Sequence, residues 1–163
     1  LAVDSRLVAF LIEHGAKTSI RDNWSYTPLH LIATHSKDPK AIEILLANGA
    51  EVNSRAEFET TPLGMAMGNN SVEIVDVLLR NGADPKLRNQ AGRTPLHSVA
   101  RYANQSDFGT VIRLLVKYGA DVNAVDDAGV RPIDLAEAMK RQPVVDLLRA
   151  LGAKDISSNE PTN

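Results

Sequence analysis

The chain has 163 residues, 44% of them hydrophobic and 23% charged, and a formal net charge of −2. That balance offers no broad basic field for nonspecific nucleic-acid binding, and no apolar run approaches the ~20 residues of a membrane span. Cysteine is absent, which removes disulfide scaffolding and thiolate metal sites. With no basic-then-apolar signal segment, an intracellular setting is expected, either cytoplasmic or, for a secreted effector, the cytosol of a host.

In chain order, the first predicted element is a helix that runs through Leu7, Val8, Phe10 and Leu11 and stops at Gly15-Ala16. Thr27-Pro28-Leu29-His30 then opens a short helix, with the threonine as cap and proline in the first turn, where its missing N–H costs nothing. Asp38-Pro39 opens a second helix that ends at Gly49-Ala50. The pattern recurs from Thr61-Pro62-Leu63-Gly64, through Ser71 as a cap, to Gly82-Ala83. It recurs again from Thr94-Pro95-Leu96-His97, through Asp107 as a cap, to Gly119-Ala120. A last copy begins at Arg131-Pro132-Ile133-Asp134, restarts at Gln142-Pro143 and ends at Gly152-Ala153.

Prolines 28, 62, 95 and 132 are 34, 33 and 37 residues apart, and the glycine-alanine pairs keep the same phase. Such a period belongs to stacked helical repeats. Aligned on the glycines, Phe10, Ile44, Val77, Leu114 and Leu147 form one apolar column, and Leu11, Leu45, Leu78, Leu115 and Leu148 another; both are expected in the core. Glu43, Asp76, Arg113 and Asp146 mark the solvated side of the same helices. Each unit is thus a helix, a tight turn, a helix and an extended connection.

Through Thr-Pro-Leu-His, the Leu-Leu-x-x-Gly-Ala pairs and the tails Glu51-Val52-Asn53 and Asp121-Val122-Asn123, the chain resembles the ankyrin repeat family from Leu7 to about Ala153. The resemblance implies an all-α solenoid of stacked helix-turn-helix units with β-hairpin-like connecting loops. Residues 1–153 read as one domain, with a partial repeat at 1–22, full repeats at 23–56, 57–89, 90–126 and 127–153, and a disordered tail at 154–163. Leu1 and the missing first helix of the first unit predict a fragment or processed chain, with Leu7, Val8 and Leu11 partly bare. The last unit reads as a cap, with Glu137, Lys140, Arg141 and Arg149 on its outer surface. Gly64 stands where the family has histidine, which predicts a looser third unit. The stretch from Tyr102 to Asp107 lengthens a turn and reads equally as a binding loop or a tolerated insertion.

Signals for chemistry are weak. His30 and His35 are five residues apart, not the four of a zinc-binding helix, and no phosphate loop or nucleophile elbow is present. No catalytic residue, metal or cofactor is expected. The resemblance implies that a partner protein meets the loop tips and the exposed face of the first helices. There the sequence places Arg21, Trp24, Tyr26, His35, Arg55, Phe58, Arg88, Arg93, Arg101 and Tyr102. Aromatic residues and arginine dominate the energetic centres of interfaces. The expected partner of this monomer is a protein presenting acidic or phosphorylated groups beside an apolar anchor. The alternative is that Trp24 and Phe58 pack on neighbouring tips while the arginines pair with Glu57, Glu59 or Asp127. Asn53 and Asn123 resemble sites of asparaginyl hydroxylation, although asparagine there also fixes turns by hydrogen bonding. Two function classes follow: a noncatalytic adaptor, inhibitor or effector, or a regulatory domain of a larger enzyme or channel.

Overall fold

The computed structural model describes residues 4–69, 71–102 and 107–154. The described residues form helices in two layers. One layer holds α1 (Ser5–Glu13), α3 (Pro39–Ala47), α5 (Val72–Arg80), α7 (Phe108–Lys117) and α9 (Gln142–Ala150). The other holds α2 (Pro28–His35), α4 (Pro62–Asn69), α6 (Pro95–Tyr102) and α8 (Pro132–Ala138). Each helix packs on its neighbour within its layer, and α2, α4, α6 and α8 pair with α3, α5, α7 and α9 across it. The described residues form an all-helical solenoid of stacked helix-turn-helix units, the architecture that the resemblance implies.

The period of the sequence becomes the period of the core. Leu29, Leu63, Leu96 and Ile133 share one place in the motif and are fully buried, as are Leu78, Leu115 and Leu148 on the facing helices. Fully burying such a side chain contributes about 1.5–3 kcal/mol, and a stack repeats that gain once per layer. Caps set the helix starts: Asp38 accepts from the Lys40 N–H at 3.1 Å and Ser71 from the Ile74 N–H at 3.4 Å. Asp38 also accepts from the Ser5 N–H at 2.8 Å, tying the start of α1 to that of α3. Asp107 is not a cap, because it sits at ψ 4° rather than extended and makes no side-chain capping bond.

The first helix corrects two expectations. Val8 is buried, whereas Phe10, assigned to a core column, is 55% exposed and lies against the His14 ring, centroids 4.1 Å apart. The cause is that α1 packs chiefly on α3, so only the side facing α3 is covered. Leu7 and Leu11 are exposed, as the missing first helix predicts, and this takes Leu11 out of the core column in which its spacing placed it.

Between units the chain forms tips that close like hairpins, although no strand is formed among the described residues. The N–H of Asp22, Ala56, Asn89 and Asp126 donates to the carbonyl four residues on, at 3.0, 2.9, 2.9 and 2.9 Å. Adjacent tips are joined by Glu57 N–H to the Trp24 carbonyl at 2.9 Å, Gln90 N–H to that of Phe58 at 2.8 Å and Asp127 N–H to that of Ala91 at 3.2 Å.

Candidate functional site

Three of the four tips share one device. The side-chain Oδ1 of Asp22, Asn89 and Asp126 accepts from two main-chain N–H groups across its own turn, at 2.9–3.0 Å. Short polar side chains favour such turns because they replace a main-chain acceptor. The turn then needs one left-handed residue, supplied by Ser25, Gly92 and Gly129 at φ 63°, 72° and 76°. At Gly92 the need is also steric, because a Cβ would collide with the ion pair of Arg88 and Asp127.

The second tip departs from this pattern. Ala56 has no side-chain acceptor, and the turn closes with two left-handed residues, Phe58 at φ 56° and Glu59 at φ 58°. A left-handed conformation costs an L-residue about 1–2 kcal/mol. Burial does not repay it, since Phe58 is 61% exposed.

Trp24 is 59% exposed on the adjoining tip, and the equivalent places on the third and fourth tips hold Ala91 and Ala128. Arg21, Asn23, Trp24, Arg55, Phe58 and Gln90 line an open cavity of about 690 Å3. Tyr26 is half-buried, its ring 5.7 Å from that of His30. His35 and Tyr102 lie at the C-terminal ends of α2 and α6, away from this cavity; both are exposed, and the Arg101 guanidinium stands 5.5 Å from the Tyr102 ring. The structure therefore brings Arg21, Trp24, Arg55 and Phe58 together, and sets Arg88 and Arg93 on the third tip.

The arginine column is tied into the framework. Arg21 Nη1 donates to the carbonyls of Ser25 and Arg55 at 2.9 and 2.7 Å. Arg55 Nη1 repeats this on Glu59 and Arg88 at 3.3 and 2.9 Å, and pairs with the Glu59 carboxylate at 3.0 Å. Arg88 pairs with Asp127 at 2.7 Å and Arg93 with Asp126 at 3.0 Å. Burial opposes charge on Asp126, but the Val130 N–H, the Arg93 guanidinium and the Ala128 N–H outweigh it and hold its carboxyl below the usual range. Arg21 has no carboxylate partner among the described residues.

His30 and His97 are buried. Each Nδ1 accepts from the N–H of its own Thr27 or Thr94, so Nε2 carries the proton and donates to the carbonyl of Thr60 or Val130. Burial lowers both imidazole pKa values despite the carbonyl contacts. Asn53 bridges units, donating to the Gly82 carbonyl at 3.0 Å and accepting from the Asp84 N–H at 2.9 Å; Asn123 does the same with Gly152 and Lys154. Among the described residues no cluster of three metal-binding side chains is present, and no helix is long and apolar enough to cross a membrane. Residues 103–106 of the lengthened turn and 155–163 of the tail lie outside the described residues.

Sequence reasoning missed the part played by Ala56. Its signal was available: the column Asp22, Ala56, Asn89, Asp126 loses its acceptor at one place, beside the exposed Phe58.

A family model described as ankyrin repeats in three copies matches residues 1–89 and again 63–160. The chain is similar to the ankyrin repeat protein FPV031 of Fowlpox virus (strain NVSL), 34% identical over 151 residues, which is 87% of this chain and 42% of the relative. A second protein of that virus, FPV232, is 39% identical over 124 residues, 75% of this chain and 25% of the relative. The transient receptor potential cation channel subfamily A member 1 of Drosophila melanogaster is 30% identical over 140 residues, 83% of this chain and 11% of the channel. The chain thus spans less than half the length of these relatives.

Proposed function

The chain belongs to the ankyrin repeat family, whose arrays bind other proteins, and from that membership we propose that it is a noncatalytic module holding its partner at the first two tips. The observation that carries this reading is the pair Trp24 and Phe58. They are large aromatics exposed on hydrogen-bonded neighbouring tips, where the later tips carry alanine. Phe58 also bears a conformational cost without the compensation of burial, a pattern found where strain serves recognition.

An apolar side chain of the partner enters between the two rings, and a carboxylate or phosphate beside it meets the remaining N–H groups of Arg21. Gln90, Asn23 and Glu57 form the polar rim. The module acts as an adaptor, inhibitor or effector, and the viral source of two relatives favours the cytosol of a host cell as its setting. A second reading, a regulatory segment of a larger channel, is favoured by the match to 11% of the Drosophila channel's length.

Affinity capture from native lysate tests the proposal, with wild type beside a Trp24→Ala, Phe58→Ala variant of unchanged circular dichroism. Loss of the captured protein supports the tip site, and unchanged capture by the folded variant overturns it.

A further inference from the structure

His30 and His97 perform the same task in their units, each joining the start of a helix to the next tip. The Thr27 N–H reaches His30 Nδ1 at 3.2 Å, and Nε2 reaches the Thr60 carbonyl at 3.2 Å. For His97 the corresponding distances are 3.2 Å to the Thr94 N–H and 3.0 Å to the Val130 carbonyl. In the unit between them Gly64 takes the place of the histidine, and Arg93 supplies the carbonyl equivalent to those of Thr60 and Val130.

Nothing in the backbone demands glycine at position 64. It lacks a left-handed φ, and an added Cβ would make ordinary contacts, 3.5 Å to Thr61 Oγ1 and 3.7 Å to Thr60 Cγ2. The side chain that the other units place here is replaced by a cavity of about 40 Å3 lined by Thr61, Gly64, Leu87, Arg93, Thr94 and Ser98. One water needs about 10–15 Å3 of such space, so a larger group fits. Its polar ends are those that flank each histidine: the Thr61 N–H, which among the described residues lacks the acceptor that Thr27 and Thr94 have, and the Arg93 carbonyl. An occupant must accept a hydrogen bond at one edge and donate one at the opposite edge, as neutral imidazole does.

We propose that this cavity binds a neutral imidazole, free or carried on a histidine side chain, whose ring accepts from the Thr61 N–H and donates to the Arg93 carbonyl. Binding joins α4 to the third tip as His30 joins α2 to the second, and a ligand that binds the folded chain raises its stability.

The test is an amide NMR titration with imidazole at about pH 8, where the free base predominates, beside thermal unfolding of the same samples. Wild type shows saturable shifts at Thr61, Gly64 and Thr94 and a rising unfolding midpoint. Gly64→His shows neither, and starts from a higher midpoint. His97→Gly, which opens a matching cavity, gains a second responsive site at Thr94 and Val130. Response to imidazole alone assigns a free azole, and response also to N-acetylhistidinamide assigns a side chain. Absence of saturable shifts in wild type up to about 0.1 M overturns the proposal, because weaker binding carries no specific site. Equal shifts in Gly64→His overturn it as well.

Discussion

The Nη1 of Arg21 lies 2.7 Å from the carbonyl oxygen of Arg55, one repeat further on, and Arg55 makes the same bond to Arg88 at 2.9 Å. Each of these guanidinium groups therefore fastens its own tip to the next. The column ends in an ion pair instead, between Arg88 and Asp127.

Replacing Arg55 by alanine removes two main-chain acceptor contacts and the pair with Glu59. A charge-assisted bond contributes about 1.5–3 kcal/mol when shielded, but these groups are more than a third exposed. We expect a loss of about 1 kcal/mol, read as a lower urea midpoint. Arg55→Lys should recover only part of it, because an ammonium lacks the planar fork.

Phe58→Gly should separate stability from binding. Glycine adopts the left-handed turn without the Cβ penalty, and little buried area is lost from a side chain that is 61% exposed. Unfolding free energy should rise by about 0.5–1 kcal/mol, while partner affinity falls at least about tenfold, the loss of 1.4 kcal/mol or more expected of an interface anchor. Calorimetry on the free and partner-bound variant checks both signs.

Acid should weaken the fold in two stages. His30 and His97 have lowered folded-state pKa values because burial disfavours their charged forms. The unfolded chain therefore takes up protons first. Stability is complete above about pH 6.5 and falls below it, by up to about 1.4 kcal/mol per pH unit for each histidine. Asp126 and Asp134 have lowered carboxyl pKa values, so their loss comes separately, below about pH 4. In urea titrations between pH 7.5 and 5.5, His97→Gln should show about half the wild-type slope.

Asn53→Ala should cost about 1–2 kcal/mol, because it leaves the Gly82 carbonyl and Asp84 N–H without their partner. Amide exchange should quicken at Asp84 first.

The repeat framework was legible because each structural need imposes a residue at a fixed interval. Gly49 and Gly82, at φ 84° and 88°, end helices where the sequence period places them. Local caps were less certain: Ser71 caps as expected and Asp107 does not, since capping depends on main-chain angles that its identity leaves open. The exposure of Phe10 depends on which helices flank α1, information held in no short segment. The arginine column was visible as a spacing, but its contacts with carbonyls of the next tip depend on how closely the units stack. The turn at Phe58 follows from the missing acceptor at Ala56, a negative signal that matters only once the other three tips are seen together.

Site-specific photocrosslinking reads out whether a partner sits on the first two tips. A benzophenone side chain is placed at Trp24, at Phe58, or at Arg113 on the exposed side of α7, and the chains are irradiated in native lysate. Positions 24 and 58 should capture one shared protein, and position 113 none. The same protein captured from 113, with positions 24 and 58 silent, would contradict a site at the tips.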